Sequence, residues 1–89
     1  MEYFKDKIAI VTGGASGMGR AVCEQMGRHG ATLVVADINQ QGAQEVAESI
    51  VAAGGKARAV RLDVTRREDV HDLVNEAARE HGRLDLIFN

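Results

Sequence analysis

The sequence predicts an α/β protein in which a parallel sheet is doubly wound by helices. Three observations carry this. Short β-branched apolar runs alternate with longer stretches whose apolar residues recur at helical spacing. Glycine closes each helical stretch. The densest glycine cluster, TGGASGMG, falls between the first strand and the first helix.

Taken in order, KIAIV (7–11) reads as a buried strand. Residues 17–29 read as a helix closed by Gly30. ATLVVAD (31–37) is a second buried strand. A second helix spans 40–53, with Asn39 as N-cap and Gly54–Gly55 as its stop. Its apolar stripe is read as Val46, Ala47, Ile50 and Val51. ARAVRLDV (57–64) is a third strand, and Thr65-Arg66-Arg67-Glu68 reads as a capping box opening a third helix. Val70, Leu73, Val74, Ala77 and Ala78 form the inward face of that helix, and Gly82 ends it. LDLIF (84–88) is the fourth strand. The β-α-β-α-β-α-β order with right-handed crossovers gives strand order 3-2-1-4, the first half of a doubly wound sheet.

Composition narrows the function classes. With 89 residues the chain holds one small domain at most. A net charge of −2 argues against nucleic acid, whose phosphates want a basic excess. The single cysteine, Cys23, excludes an intrachain disulfide and fits a reducing, cytoplasmic location. Charges interrupt MEYFKDKIAIV where a signal peptide needs an apolar core, and no apolar run reaches the roughly 18 residues of a membrane span. His29, His71 and His81 show no metal-ligand spacing, so no metal is expected.

The glycine cluster is where chemistry is expected. Ligands of such sheets bind beyond the carboxyl ends of the strands where the strand order reverses, and that point adjoins the first strand. Glycine there permits positive φ and a close ligand, while the following helix aims free N–H groups and its positive dipole end at the loop. The combination suits a pyrophosphate. The cluster is not a Walker A loop, since Arg20 and Ala21 follow where Lys and Ser/Thr would stand. Its spacing is T-G-x-x-x-G-x-G, through Thr12, Gly13, Gly17 and Gly19.

That loop, Asp37 at the end of the second strand, LDVT (62–65) after the third and LDLIFN (84–89) at the fourth resemble the classical short-chain dehydrogenases/reductases, with a Rossmann-type fold. The resemblance covers the whole chain and leaves the substrate open. It implies that residues 1–89 are the front part of a dinucleotide-binding domain. It assigns Gly13, Ser16, Gly17, Met18 and Gly19 to the cofactor phosphates, Asp63 and Val64 to the adenine, and Asn89 to the start of the family's N-N-A-G motif. Asp37 lies about 20 residues beyond the loop, where a carboxylate accepts the adenosine ribose hydroxyls and repels a 2′-phosphate. Ser16 and Ile38 stand where a preference for NADP would place basic residues, so NAD is expected.

The implied activity is hydride transfer between NAD(H) and an alcohol or ketone, in a homo-oligomer. The family's catalytic Ser, Tyr and Lys fall beyond Asn89, so the 89 residues alone should not catalyse. The spacing of Tyr3 and Lys7 matches Y-x-x-x-K by count only, before the first strand. The alternative reading is a non-catalytic nucleotide-binding or self-associating half-domain.

Overall fold

A computed structural model describes residues 2–89. A 3-10 turn (Glu2–Phe4) precedes β1 (Ile8–Thr12), α1 (Gly17–Arg28), β2 (Thr32–Asp37), α2 (Gln40–Ala52), β3 (Lys56–Arg61), α3 (Arg67–His81) and β4 (Leu86–Phe88). All strand pairs are parallel, in the order β3-β2-β1-β4. This is the half-sheet expected from the sequence, with β1 and β2 at its centre.

Residues 8–11 and 33–36 of the two central strands are apolar because both sheet faces are covered. Successive residues point to opposite faces. Ala9, Val11, Leu33 and Val35 pack with Cys23 and Met26 of α1 and with Ala43, Val46, Ala47 and Ile50 of α2. Ile10, Val34 and Ala36 face the other way, onto Leu73 and Ala77 of α3 and onto Leu62. Each fully buried Val, Leu or Ile of this kind contributes about 1.5–3 kcal/mol. Val51 is 54% exposed and does not belong to the apolar stripe of α2. Ala43, one turn before Ala47, takes that place in the core.

Two further expectations change. β3 ends at Arg61, three residues before the apolar pattern stops, because its partner β2 ends at Asp37, which pairs with Arg61. Leu62, Asp63 and Val64 thereby become a loop at the carboxyl edge of the sheet. The capping box is absent. Arg66, not Thr65, is the N-cap of α3 and makes no side-chain cap hydrogen bond. The Thr65 hydroxyl and N–H both donate to Asp63 Oδ1, at 2.6 and 3.0 Å. The Thr65 N–H, which Glu68 would have to accept in a capping box, is taken by the Asp63 carboxylate. Arg66, at that N-cap, pairs with Asp69 in the first turn at 2.9 Å.

β4 is locked to β1 at both ends. At the amino end, Asp85 Oδ2 accepts the Ile8 N–H at 2.8 Å and Arg83 Nε at 3.0 Å, and Arg83 Nη2 donates to the Asp6 carbonyl at 2.7 Å. The Ile8 hydrogen bond, helped by the Arg83 guanidinium, holds the Asp85 carboxyl below its ordinary value. At the carboxyl end the Thr12 hydroxyl lies 2.9 Å from Asn89 Oδ1 and 3.3 Å from the Phe88 carbonyl.

Candidate functional site

The carboxyl ends of β1 and β2 bring the glycine loop and Asp37 together. Gly13 and Gly17 both adopt positive φ, at 67° and 59°, which a side chain would strain. No atom stands within 4 Å of where a Cβ would project from either, so the space outside the loop is open. Gly19 answers a different need. A Cβ there would overlap the Gly13 carbonyl and stand 3.1 Å from Gly14 Cα, so the first turn of α1 lies directly on the loop. Ser16 is the N-cap of α1, in extended conformation, and its side chain makes no cap hydrogen bond. The first-turn N–H groups of α1 are therefore left to an external acceptor, the arrangement that favours a phosphate. An open cradle, an uncapped helix start and a backbone approach only glycine permits all fit a dinucleotide.

Asp37 is half-buried beside this loop. Its Oδ2 accepts the Ala15 N–H at 3.0 Å and its Oδ1 accepts the Asn39 N–H at 2.9 Å. Each oxygen keeps a further lone pair for a hydroxyl donor. Asn39 caps α2, accepting the Gly42 N–H at 3.0 Å. The carboxylate thus makes turn contacts and can also receive a ribose.

Gly13, Asp37, Ile38, Leu62, Asp63 and Val64 line a cavity of about 170 Å³. Hydrogen bonds from the Thr65 hydroxyl and N–H, with Arg61 and Arg66 nearby, hold the Asp63 carboxyl below its ordinary value, so it is an acceptor at neutral pH. Ile38 and Val64 are 56% and 57% exposed, and Met18 at the start of α1 is 75% exposed. Ile38 and Val64, large apolar side chains this open on one recess, mark a surface that a ligand would cover, whereas Met18 is not among the residues lining it.

Sequence reasoning alone misses Leu62 and Ile38 as parts of this recess. The signal for Ile38 is an apolar residue directly after the Asp37 strand end, where a solvated residue would be polar. Leu62 sits inside the apolar run of the third strand, and only the early end of β3 releases it. Thr12, at the strand end, has its hydroxyl on Asn89 at the sheet's carboxyl edge. Asn89 is not among the residues lining the cavity. Cys23 lies beneath the loop as a fully buried core residue, and burial pushes its thiol up to about 12, with a smaller push from Glu24. Tyr3 and Lys7 precede β1, and the ammonium lies 5.5 Å over the ring, at the opposite end of the sheet from the loop.

The fold and topology define a Rossmann-type half-sheet, the class that carries nucleotide cofactors. The chain belongs to the short chain dehydrogenase family, whose model matches residues 7–89. It is 43% identical over 88 residues to an uncharacterized oxidoreductase, YuxG, of Bacillus subtilis, covering 97% of this chain and 13% of that one. It is 40% identical over 86 residues to a cyclohexanol dehydrogenase of Acinetobacter, covering 97% and 34%. A hydroxysteroid dehydrogenase from Escherichia coli superposes with a TM-score of 0.89 at 33% identity, covering 94% of this chain and 36% of that structure. The chain spans about a third or less of the length of these relatives. Family and fold imply a nicotinamide cofactor. Among the described residues, no helix is long and apolar enough to cross a membrane.

Proposed function

We propose that residues 1–89 form the NAD-binding front part of an oxidoreductase that transfers hydride between NAD(H) and an alcohol or ketone. The observation that carries the cofactor choice is the Asp37 carboxylate beside the glycine loop, with both oxygens fixed by backbone N–H groups. A fixed negative charge at the ribose end opposes a 2′-phosphate. Ser16 and Ile38, the neighbours that would have to neutralise that phosphate, are uncharged.

On this reading the first-turn N–H groups of α1, with Gly13, Ser16, Gly17, Met18 and Gly19 around them, hold the cofactor phosphates. Asp37 accepts the ribose hydroxyls, and Asp63 and Val64 receive the adenine. Asn89, tied to Thr12, marks where the site continues toward the nicotinamide. Bound there, NAD supplies the hydride chemistry. The relatives named as cyclohexanol and hydroxysteroid dehydrogenases support an alcohol or ketone as its partner. The 89 residues bind without turnover, since their one tyrosine stands before β1, remote from the loop.

Titration calorimetry with NAD and NADP tests the reading. The chain is expected to bind NAD at least about tenfold more tightly, a difference of about 1.4 kcal/mol. Asp37→Ser combined with Ile38→Arg is expected to reverse the order. Tighter NADP binding by the unmodified chain, or binding of neither, would overturn it.

A further inference from the structure

The amino end of α2 touches the glycine loop at a place the cofactor assignment does not use. Asp37 is a splint between two backbone segments. One oxygen holds the Ala15 N–H inside the loop and the other holds the Asn39 N–H at the start of α2. The carboxylate cannot rotate without breaking one of these bonds. Asn39 is itself fixed, because its side-chain oxygen accepts the Gly42 N–H at 3.0 Å and its carbonyl accepts the Ala43 N–H at 3.0 Å. The fourth member of the chain closes the circle. A Cβ at Gly42 would lie 3.0 Å from the Ala15 Cβ and 2.7 Å from Asn39 Nδ2. Carbon atoms prefer about 3.5–4.0 Å, so a side chain at 42 would displace the Asn39 amide and press on the Ala15 methyl.

We propose that Asn39 and Gly42 are positioning residues for the glycine loop. They fix Ala15 from the α2 side, and through it the Ser16–Gly19 N–H groups that receive phosphate. This rests on the loop being a dinucleotide site. It differs from the direct contacts assigned above, because neither residue need touch the ligand. Ala15 immediately precedes the N-cap of α1, so a shift at Ala15 redirects the first turn of that helix. This close approach accounts for glycine at 42 despite its poor helix propensity.

The test combines hydrogen exchange of the Ala15 amide with calorimetric binding of ADP, using Gly42→Ala, Asn39→Ala and Asn39→Ser in the full chain. Gly42→Ala gains helix propensity and so should stay folded. Its Ala15 amide is expected to exchange about tenfold faster relative to the β2 amides. Its affinity for ADP is expected to fall about fivefold. Asn39→Ala should behave alike, and Asn39→Ser, which restores a capping oxygen, should recover most of both losses. A merely structural role would change melting temperature and leave the Ala15-to-β2 exchange ratio alone. Unchanged Ala15 exchange in Gly42→Ala would overturn the proposal. Absence of ADP binding by the unmodified chain would instead sink the dinucleotide reading, and the Ala15 exchange ratio would still decide whether α2 positions the loop.

Discussion

Replacing Gly19 with alanine probes the loop where it is least able to adapt. The new methyl would meet the Gly13 carbonyl and approach Gly14 Cα to 3.1 Å, and all of these are backbone atoms that cannot swing aside. Either the loop opens or α1 lifts from it. Overpacking of a rigid site costs about 1–3 kcal/mol, and the upper end applies where no side chain can move. Alanine over glycine in a helix returns up to about 1 kcal/mol. The net loss is about 2 kcal/mol, equivalent to a melting temperature lower by roughly 8–16 °C for a domain of this size. Circular dichroism melts measure it. Arg20→Ala serves as the neighbouring control, since it removes only an exposed ion pair with Glu24 at 3.3 Å, worth about 0.3–0.5 kcal/mol. On the proposed reading the displaced turn carries the N–H groups that receive phosphate, so NAD affinity should fall with stability. A Gly19→Ala chain that melts like the control and binds NAD unchanged would refute the reasoning.

Four further outcomes are expected. Asp63 and Asp85 both have carboxyls held below their ordinary value, so their contribution is present above the unfolded carboxylate range and is lost as pH falls through the folded values. An acid titration followed by circular dichroism should therefore show Asp85→Asn with a flatter decline below about pH 4 than the unmodified chain. Cys23, with its thiol raised to about 12, should resist alkylation at pH 8 until the chain unfolds, and a thiol reagent should label it in denaturant only. The same shift makes stability fall as pH rises above the unfolded thiol value, by about 1.4 kcal/mol per pH unit, and Cys23→Ala should remove that slope. Ile10→Ala empties a fully buried position facing α3 and should cost about 2–5 kcal/mol in a denaturant titration.

The element order is legible in the sequence because the periodicities are clean. IAIV (8–11) and LVVA (33–36) are continuous apolar runs inside β1 and β2, and each helix shows one buried stripe. The loop is legible because four glycines within TGGASGMG, set between a strand and a helix, mark a tight turn with close backbone approach. What stays hidden depends on contacts distant along the chain. The end of β3 is set by the end of β2, not by the residues LDV themselves. Thr65 has the spacing of a cap, yet a nearer carboxylate takes its hydroxyl. The latch of Arg83, Asp85, Ile8 and Asp6 joins residues 77 apart, and no local pattern announces it. The contact of Gly42 with Ala15 is hidden for the same reason. A glycine inside a helical stretch reads only as a weak point until the neighbouring loop is in place.

The most direct measurement is a map of backbone amide shifts on adding NAD to the isotope-labelled chain. A dinucleotide held as proposed should perturb residues 13–19, Asp37 and Ile38, and Asp63 and Val64. Silence at those positions, or shifts confined to the apolar groove of about 550 Å³ between Phe4, Val22, Met26 and Phe88, would contradict it.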